Sequence, residues 1–202
     1  MAARSSFRER RRSYSARKVD TREPKERFLI VCEGEKTEPH YFRAFRVPRE
    51  VISVVGLGDN TVRIVEEAIR LRFDNEFDQV WCVFDRDSFP AQQFNAALEL
   101  ARLNGIEIAY SNESFEIWYL LHFNYCDAAL SRRDFEQRLT QALGHKYEKN
   151  SKSMFEELID KQEAAIRNAE RLLTSYAPSR PVEDNPSTTV HRLVTQLNRF
   201  VQ

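Results

Sequence analysis

The sequence is poor in the residues that mark several classes of protein. Five glycines and seven prolines among 202 residues exclude the fibrous classes. The three cysteines, Cys32, Cys82 and Cys126, are scattered in apolar surroundings, which favours free buried thiols over a disulfide or zinc framework. No stretch approaches the roughly twenty apolar residues that span a bilayer, and no apolar run follows the arginine-rich start. We therefore expect neither membrane insertion nor secretion, but a cytoplasmic protein.

The chain also lacks net charge, yet its charge is unevenly distributed. Residues 1–27 carry ten Lys or Arg against four Asp or Glu, whereas the whole chain has 31 of each kind. Residues 1–26 show no apolar periodicity and are predicted to form a disordered basic tail. This tail either is a solvated arm or binds the phosphate backbone of a nucleic acid. The hydrophobic content of 42% suffices for a globular domain, which we place at residues 27–202.

Apolar runs alternate with amphipathic stretches in the first part of this domain, residues 27–125. The pattern predicts strands with helices between them, the strands lying at 28–32, 51–55, 80–84 and 106–110. The first and third runs are continuous, which is typical of strands buried on both faces. The sequence thus predicts an α/β fold with a mostly parallel four-stranded sheet flanked by helices.

The remaining residues, 126–202, are predicted to form a helical extension. Helical patterns cover 135–143, 155–173 and 190–200, and residues 177–186 are predicted to form an irregular connection. No glycine-rich loop ending in Lys-Ser or Lys-Thr occurs, so any ATP-driven step would come from a partner.

Acidic residues follow two of the predicted strands. Glu33 follows the first strand, and Asp85 and Asp87 follow the third. Ligands of open α/β sheets bind outside the carboxyl ends of the strands, so these carboxylates converge if the two strands are neighbours. A hard divalent cation, Mg²⁺ or Mn²⁺, would relieve their repulsion. The alternative is that Asp85 and Asp87 are turn or N-cap residues of the next helix.

Charged residues around the first acidic turn have two interpretations each. Lys36 could neutralise phosphate charge in a transition state, or it is a solvated loop cation. Glu35 and Glu38 could bind metal, but carboxylates at a helix N-terminus also complement the helix dipole.

Several segments carry a resemblance to known families. Glu33-Gly34 and Asp85-Arg86-Asp87 resemble the paired signatures of Toprim domains, which occur in topoisomerases, primases and OLD-type nucleases. A closer resemblance, from about residue 27 to 200, is to the RloB-like family. It rests on residues 32–38 with Tyr41-Phe42, on 85–87, on 111–118 with 120–123, on 147–150 and on 185–190. The chain departs from that pattern at Glu113, where the family has proline.

The resemblance implies a Toprim-like, metal-dependent nuclease of prokaryotic antiviral defence. Its substrate would be RNA, with tRNA among the candidates, or DNA, and its expected partners are an ATPase and a second copy of the chain. Residue by residue, the resemblance implies Glu33 as a general base or metal ligand, Asp85 and Asp87 as the metal-binding pair, and Glu116 as a further ligand. It also singles out Lys149, Asn185, Ser187 and Thr188, which could contact phosphate or a flanking protein, although helix capping explains Asn185 and Ser187 equally well. We expect Lys149 to bind substrate phosphate together with Lys36.

Three alternatives stay open on the sequence alone. Glu116 could instead stabilise a helix N-terminus. The whole protein could be a regulatory module whose metal site is dormant until, or serves only within, an ATPase complex. Phe115, Trp118, Tyr119 and the helices after residue 150 would then show exposed apolar patches. A third reading is nucleotidyl or strand transfer with the same carboxylates.

Overall fold

The computed structural model describes residues 26–47, 52–58, 61–86 and 90–200. The predicted basic tail, apart from Glu26, and the predicted ligand Asp87 lie outside the described residues. The elements in chain order are β1 (Phe28–Cys32), α1 (Thr37–Arg43), β2 (Ile52–Gly56), α2 (Thr61–Asp74), β3 (Gln79–Asp85), α3 (Ala91–Leu103), β4 (Glu107–Asn112), α4 (Glu116–Leu121), α5 (Arg132–Leu143), α6 (Met154–Leu158), α7 (Gln162–Thr174), β5 (Ser187–Thr188) and α8 (Val190–Asn198).

The strands form one sheet with the order β2-β1-β3-β4-β5. The first four strands are parallel, which confirms the predicted mostly parallel sheet, and β5 is antiparallel to β4. The fifth strand corrects both the predicted count of four and the prediction that everything after residue 126 is helix or connection. Side-chain hydroxyls add to its pairing with β4, since the Thr188 hydroxyl donates a hydrogen bond of 3.1 Å to the Tyr110 carbonyl.

Both faces of the central strands are buried, as their continuous apolar runs predict. In β1, Phe28, Ile30 and Cys32 face one hydrophobic cluster, whereas Leu29 and Val31 face another. Helices α2 and α3 cover the second cluster, and α1 with α4 to α8 cover the first. The alternation follows from the two-residue period of a strand.

A 3₁₀ turn at Ile159–Lys161 interrupts the helix predicted over 155–173 and separates α6 from α7. The buried positions of the two helices continue with helical spacing across the turn, so apolar periodicity alone does not reveal the break.

The aromatic residues of α4 belong to the core. Phe115, Trp118 and Tyr119 are at most 2% exposed, so the exposed patches that the regulatory alternative predicts at these positions are absent. The exposed large apolar residues of the described chain are Phe73, Leu103 and Ile159. Phe73 lies in the last turn of α2, and Leu103 is the last residue of α3.

Two further expectations concern the cysteines and the membrane. All three cysteines are free and buried, as predicted. In the described part of the chain, no helix has the length and apolarity needed to cross a membrane.

Candidate functional site

The carboxyl ends of β1 and β3 bring two of the predicted site residues together. The strands are neighbours in register, with Cys32 paired to Val83. The Glu33 amide donates to the Val83 carbonyl at 2.8 Å, and the Glu33 carboxylate accepts from the Asp85 amide at 2.9 Å through Oε2. The two strands are therefore neighbours, which is the condition for their acidic turns to meet, and the Glu33 carboxylate lies at the end of β3.

Glu38 extends this acidic edge into the protein interior. Its side chain lies against Gly34, where an added Cβ atom would collide with the Glu38 carboxylate. Glu38 is 6% exposed, and its Oε2 makes no hydrogen bond among the described residues. Burial raises the pKa of Glu38 above its ordinary value, and the nearby Glu116 carboxylate raises it further. Gly34 thus provides the space for the buried Glu38 carboxylate.

Glu116, the first residue of α4, is the second buried carboxylate of the edge. It is 6% exposed, and its Oε1 accepts a hydrogen bond of 3.2 Å from the Tyr147 hydroxyl. The Lys149 ammonium lies 3.9 Å from the same oxygen. Lys36, in contrast, is the exposed residue that precedes α1. The structure therefore pairs Lys149 with Glu116 and leaves Lys36 at the surface.

Aromatic packing positions α1, which carries Glu38. The Tyr41 ring, one turn after Glu38, contacts Phe115 with 5.8 Å between centroids and Phe155 with 5.4 Å. Edge-to-face contacts of this kind add to the burial energy and fix ring orientation. Glu38 is held at the site because the next turn of its helix is anchored in the core.

The segment Tyr147–Asn150 fastens the helical extension to this edge, and we call it the clasp. Asn150 has a left-handed backbone with φ of 72°. Its Oδ1 accepts from the Thr37 hydroxyl at 2.7 Å, and its carbonyl accepts from His40 Nδ1 at 3.1 Å. Asparagine is one of the few non-glycine residues that adopt this conformation readily. The clasp explains why a Tyr-Glu-Lys-Asn motif far along the chain belongs with the acidic turns.

The polar residues Ser187, Thr188 and Thr189, which follow the Asn185-Pro186 dipeptide, stabilise the fold. Ser187 and Thr188 are fully buried, and the Ser187 hydroxyl donates to the Asp184 carbonyl at 2.7 Å. The Thr189 hydroxyl donates to the Ile108 carbonyl at 3.0 Å and accepts from the Tyr110 amide at 3.0 Å. The threonine hydroxyls therefore satisfy the backbone of β4, and the Ser187 hydroxyl satisfies the loop before β5, rather than presenting a surface to phosphate.

His145, in the loop before the clasp, forms a pair with Glu157 of α6 whose charge depends on pH. His145 Nε2 lies 2.7 Å from Glu157 Oε2, and this hydrogen bond raises the pKa of His145 above its ordinary value of 6.5. Because folding raises the pKa of His145, its pairing with Glu157 stabilises the folded protein at pH values below the ordinary pKa. This stabilisation is lost as the pH rises through the higher pKa of the folded state.

We expect Glu157→Gln to lower the pKa of His145 towards its ordinary value, because the neutral amide no longer favours the imidazolium. An NMR titration of the His145 ring protons measures this shift directly. Glu156→Gln, at the neighbouring exposed position, is the matched control and should leave the titration unchanged. An unaltered midpoint in Glu157→Gln would contradict the pairing.

The carboxylates of the edge offer oxygen donors, the kind of ligand that hard divalent cations prefer. The carboxylates of Glu33, Asp85, Glu38 and Glu116 offer oxygen ligands only, and Glu38 Oε2 is a buried carboxylate oxygen without a hydrogen bond. The described residues include no group of three or more His, Cys, Asp or Glu side chains that could hold a metal ion, and Asp87 lies outside them. The described carboxylates alone therefore do not form a metal site.

A mostly parallel sheet with carboxylates outside the carboxyl ends of its strands defines an α/β protein, and those ends are the candidate position for a ligand site. A family profile described as RloB-like protein matches residues 28–197, which is most of the chain. The chain therefore belongs to the RloB-like family, as its motifs predict. No curated protein and no solved structure matches it.

Proposed function

We propose that this protein is a divalent-metal-dependent nuclease that hydrolyses phosphodiester bonds in RNA or DNA. The observation that carries the proposal is the hydrogen bond from the Asp85 amide to the Glu33 carboxylate, because it places two acidic turns of neighbouring strands at one point. The buried carboxylates of Glu38 and Glu116, which act on each other electrostatically, add to its support. Such a concentration of negative charge calls for a cation.

In this proposal, Asp85 and Asp87 hold the metal, and Glu33 binds it or accepts the proton of the attacking water. When bound, a divalent cation would supply charge stabilisation at phosphate oxygens and a water of lowered pKa. Hydrolysis joins the water oxygen to phosphorus and breaks the bond to a sugar oxygen, which leaves with a proton. Lys36 and Lys149 neutralise the phosphate.

The proposed setting is prokaryotic antiviral defence in concert with an ATPase, on the strength of the family resemblance. The basic segment 1–26 is proposed as the electrostatic grip on nucleic acid, because the rest of the chain is acidic. Because such binding depends on contacts with phosphates, the affinity for nucleic acid should fall steeply as the salt concentration rises.

The deciding experiment compares the wild type with the double variant Asp85→Ala/Asp87→Ala. Each is incubated with total tRNA, single-stranded RNA and plasmid DNA in Mg²⁺, in Mn²⁺ and in EDTA. We expect cutting of one substrate class that requires metal and disappears in the variant. Absence of cutting by folded wild type would overturn intrinsic nuclease activity and favour the partner-activated module.

A further inference from the structure

A groove lies where helices α2 and α3 end, and part of its lining is apolar. It has a volume of about 580 Å³, and Ile69, Phe73 and Ile106 form its apolar wall. Phe73 is 87% exposed, and Leu103, next to the lining residue Asn104, is 67% exposed. Two of the three exposed large apolar side chains of the described residues thus lie beside this groove. Exposed apolar surface of this kind marks an interaction site.

The groove also favours positive charge. Its rim carries the carboxylates of Asp74 and Glu76, and the C-terminal ends of two helices add partial negative charge there. Asp74 is already paired with Arg70 at 3.0 Å, but Glu76 has no ion pair among the described residues. The basic lining residue Arg72 donates from its guanidinium to the Asn104 carbonyl at 2.8 Å. The end of α3 thus already binds one guanidinium group.

The amino-terminal segment joins the described chain close to this groove. The Arg27 amide donates to Asp78 Oδ2 at 2.7 Å, and the Asp78 amide donates to the Arg27 carbonyl at 2.9 Å. The Arg27 guanidinium lies over the Phe77 ring, 5.0 Å from its centroid. Glu76 lies two positions before Asp78, so the Cα atoms of these two residues are within about 8 Å of each other. The groove therefore begins within a few ångströms of the point where the segment is attached.

Residues 1–25 have the chemistry that this groove fits. Residues 10–14 place three consecutive arginines just before Ser13 and Tyr14. The eleven residues 15–25 connect this stretch to the described chain, and eleven residues can extend over about 36 Å. The connection is therefore long enough to reach the groove, and it keeps the stretch at a high effective concentration there.

A second copy of the chain fits this groove less well. In a symmetric dimer formed through this face, the groove of each copy would meet the same surface of the other. The carboxylates and helix ends of the two copies would then oppose each other, and like charges in contact cost free energy. The amino-terminal segment carries the opposite charge, so it complements the groove.

We propose that residues 10–14 dock into the groove at the ends of α2 and α3 of their own chain. In this arrangement the Tyr14 ring packs against the apolar wall that Phe73 and Ile106 form. The three arginines face Glu76 and the carbonyl ends of the two helices. The docking goes beyond the proposed function and does not depend on it.

Tryptic cleavage of the folded full-length protein tests the docking. Trypsin cuts after arginine, so the rate of cutting after residues 10–12 reports how often the segment is free. We expect Phe73→Ser to be cut there about fivefold faster than the wild type, because the apolar wall is lost. Phe73 is exposed, so this variant should stay folded, and a thermal melt checks that it does. Ile159→Ser is the matched control, since Ile159 is the remaining exposed large apolar residue of the described chain.

Variants of the segment itself make the test specific. Tyr14→Ser should speed the cutting as much as Phe73→Ser does, and the two together should add nothing, because each removes one side of the same contact. Phe7→Ser, which changes the other aromatic residue of the segment, should have no effect. The rates should be the same from about 1 µM to about 100 µM protein, because the docking is intramolecular.

Two results would overturn the inference. One is equal cutting of the wild type and Phe73→Ser at all protein concentrations. The other is protection that appears only at the higher concentration, since the occupant would then be the segment or surface of another copy.

An RNA-binding measurement separates this inference from the proposed function. The proposed binding of nucleic acid uses the same arginines, so docking withholds them from it. Phe73→Ser should therefore bind single-stranded RNA in EDTA about fivefold more tightly than the wild type, and this step alone rests on the proposed function. Faster tryptic cutting with unchanged RNA affinity would retain the docking and overturn the proposed role of the basic segment in binding nucleic acid.

Discussion

Glu33→Gln is expected to lower metal-dependent cleavage by about a thousandfold with little change in the free energy of unfolding. The substitution removes the charge on which the proposed water activation or metal binding depends. It keeps the shape of the side chain, and its amide oxygen can still accept the 2.9 Å hydrogen bond from the Asp85 amide. Single-turnover cleavage at saturating Mg²⁺ measures the rate, and chemical denaturation measures the stability.

Glu35→Gln provides the matched control for this experiment. Glu35 is exposed on the same loop, so the variant carries the same change in charge two positions away. We expect its cleavage rate to stay within about twofold of the wild type. Folded Glu33→Gln that retains a tenth or more of the activity would show that Glu33 does not perform the proposed chemistry.

The sheet and its acidic edge were predictable because their signals are local. A continuous apolar run such as Phe28–Cys32 has a length and composition that specify a buried strand, and the next residue then marks its carboxyl end. Once two such strands are taken as neighbours, the meeting of Glu33 with the end of β3 follows from parallel register.

The parts that could not be predicted depend on contacts between distant residues. The Thr37 hydroxyl meets Asn150 across 113 positions, and no periodicity in either segment reveals the pairing. Strand β5 has two residues, too few for an alternating pattern, and its hydroxyls bond to β4 at a separation of 78 positions. Glu38 was indistinguishable from a helix-dipole carboxylate until its burial against Gly34 was known.

Gly56, the last residue of β2, packs so closely against the acidic loop that a single added methyl group should displace the loop. A Cβ atom there would lie 2.6 Å from the Gly34 carbonyl oxygen and 2.9 Å from both Glu35 Cα and Pro39 Cγ. Two of these three atoms belong to the backbone of the loop, so they cannot rotate away. We expect Gly56→Ala to reduce the free energy of unfolding by about 2 to 3 kcal/mol, which lowers Tm by about 5 to 10 °C in a protein of this size.

Gly144→Ala separates this steric effect from backbone strain. Gly144 has a φ of 77° and no atom within 4 Å of an added Cβ, so its substitution carries only the cost of a left-handed alanine, about 1 kcal/mol. A melt in which Gly56→Ala costs no more than Gly144→Ala would contradict the close approach of β2 to the acidic loop. Because the Gly58 amide also bonds the Glu33 carbonyl at 2.7 Å, a displaced loop should carry Glu33 with it. Gly56→Ala should therefore lose cleavage activity at temperatures where it is still folded, whereas Gly144→Ala should not.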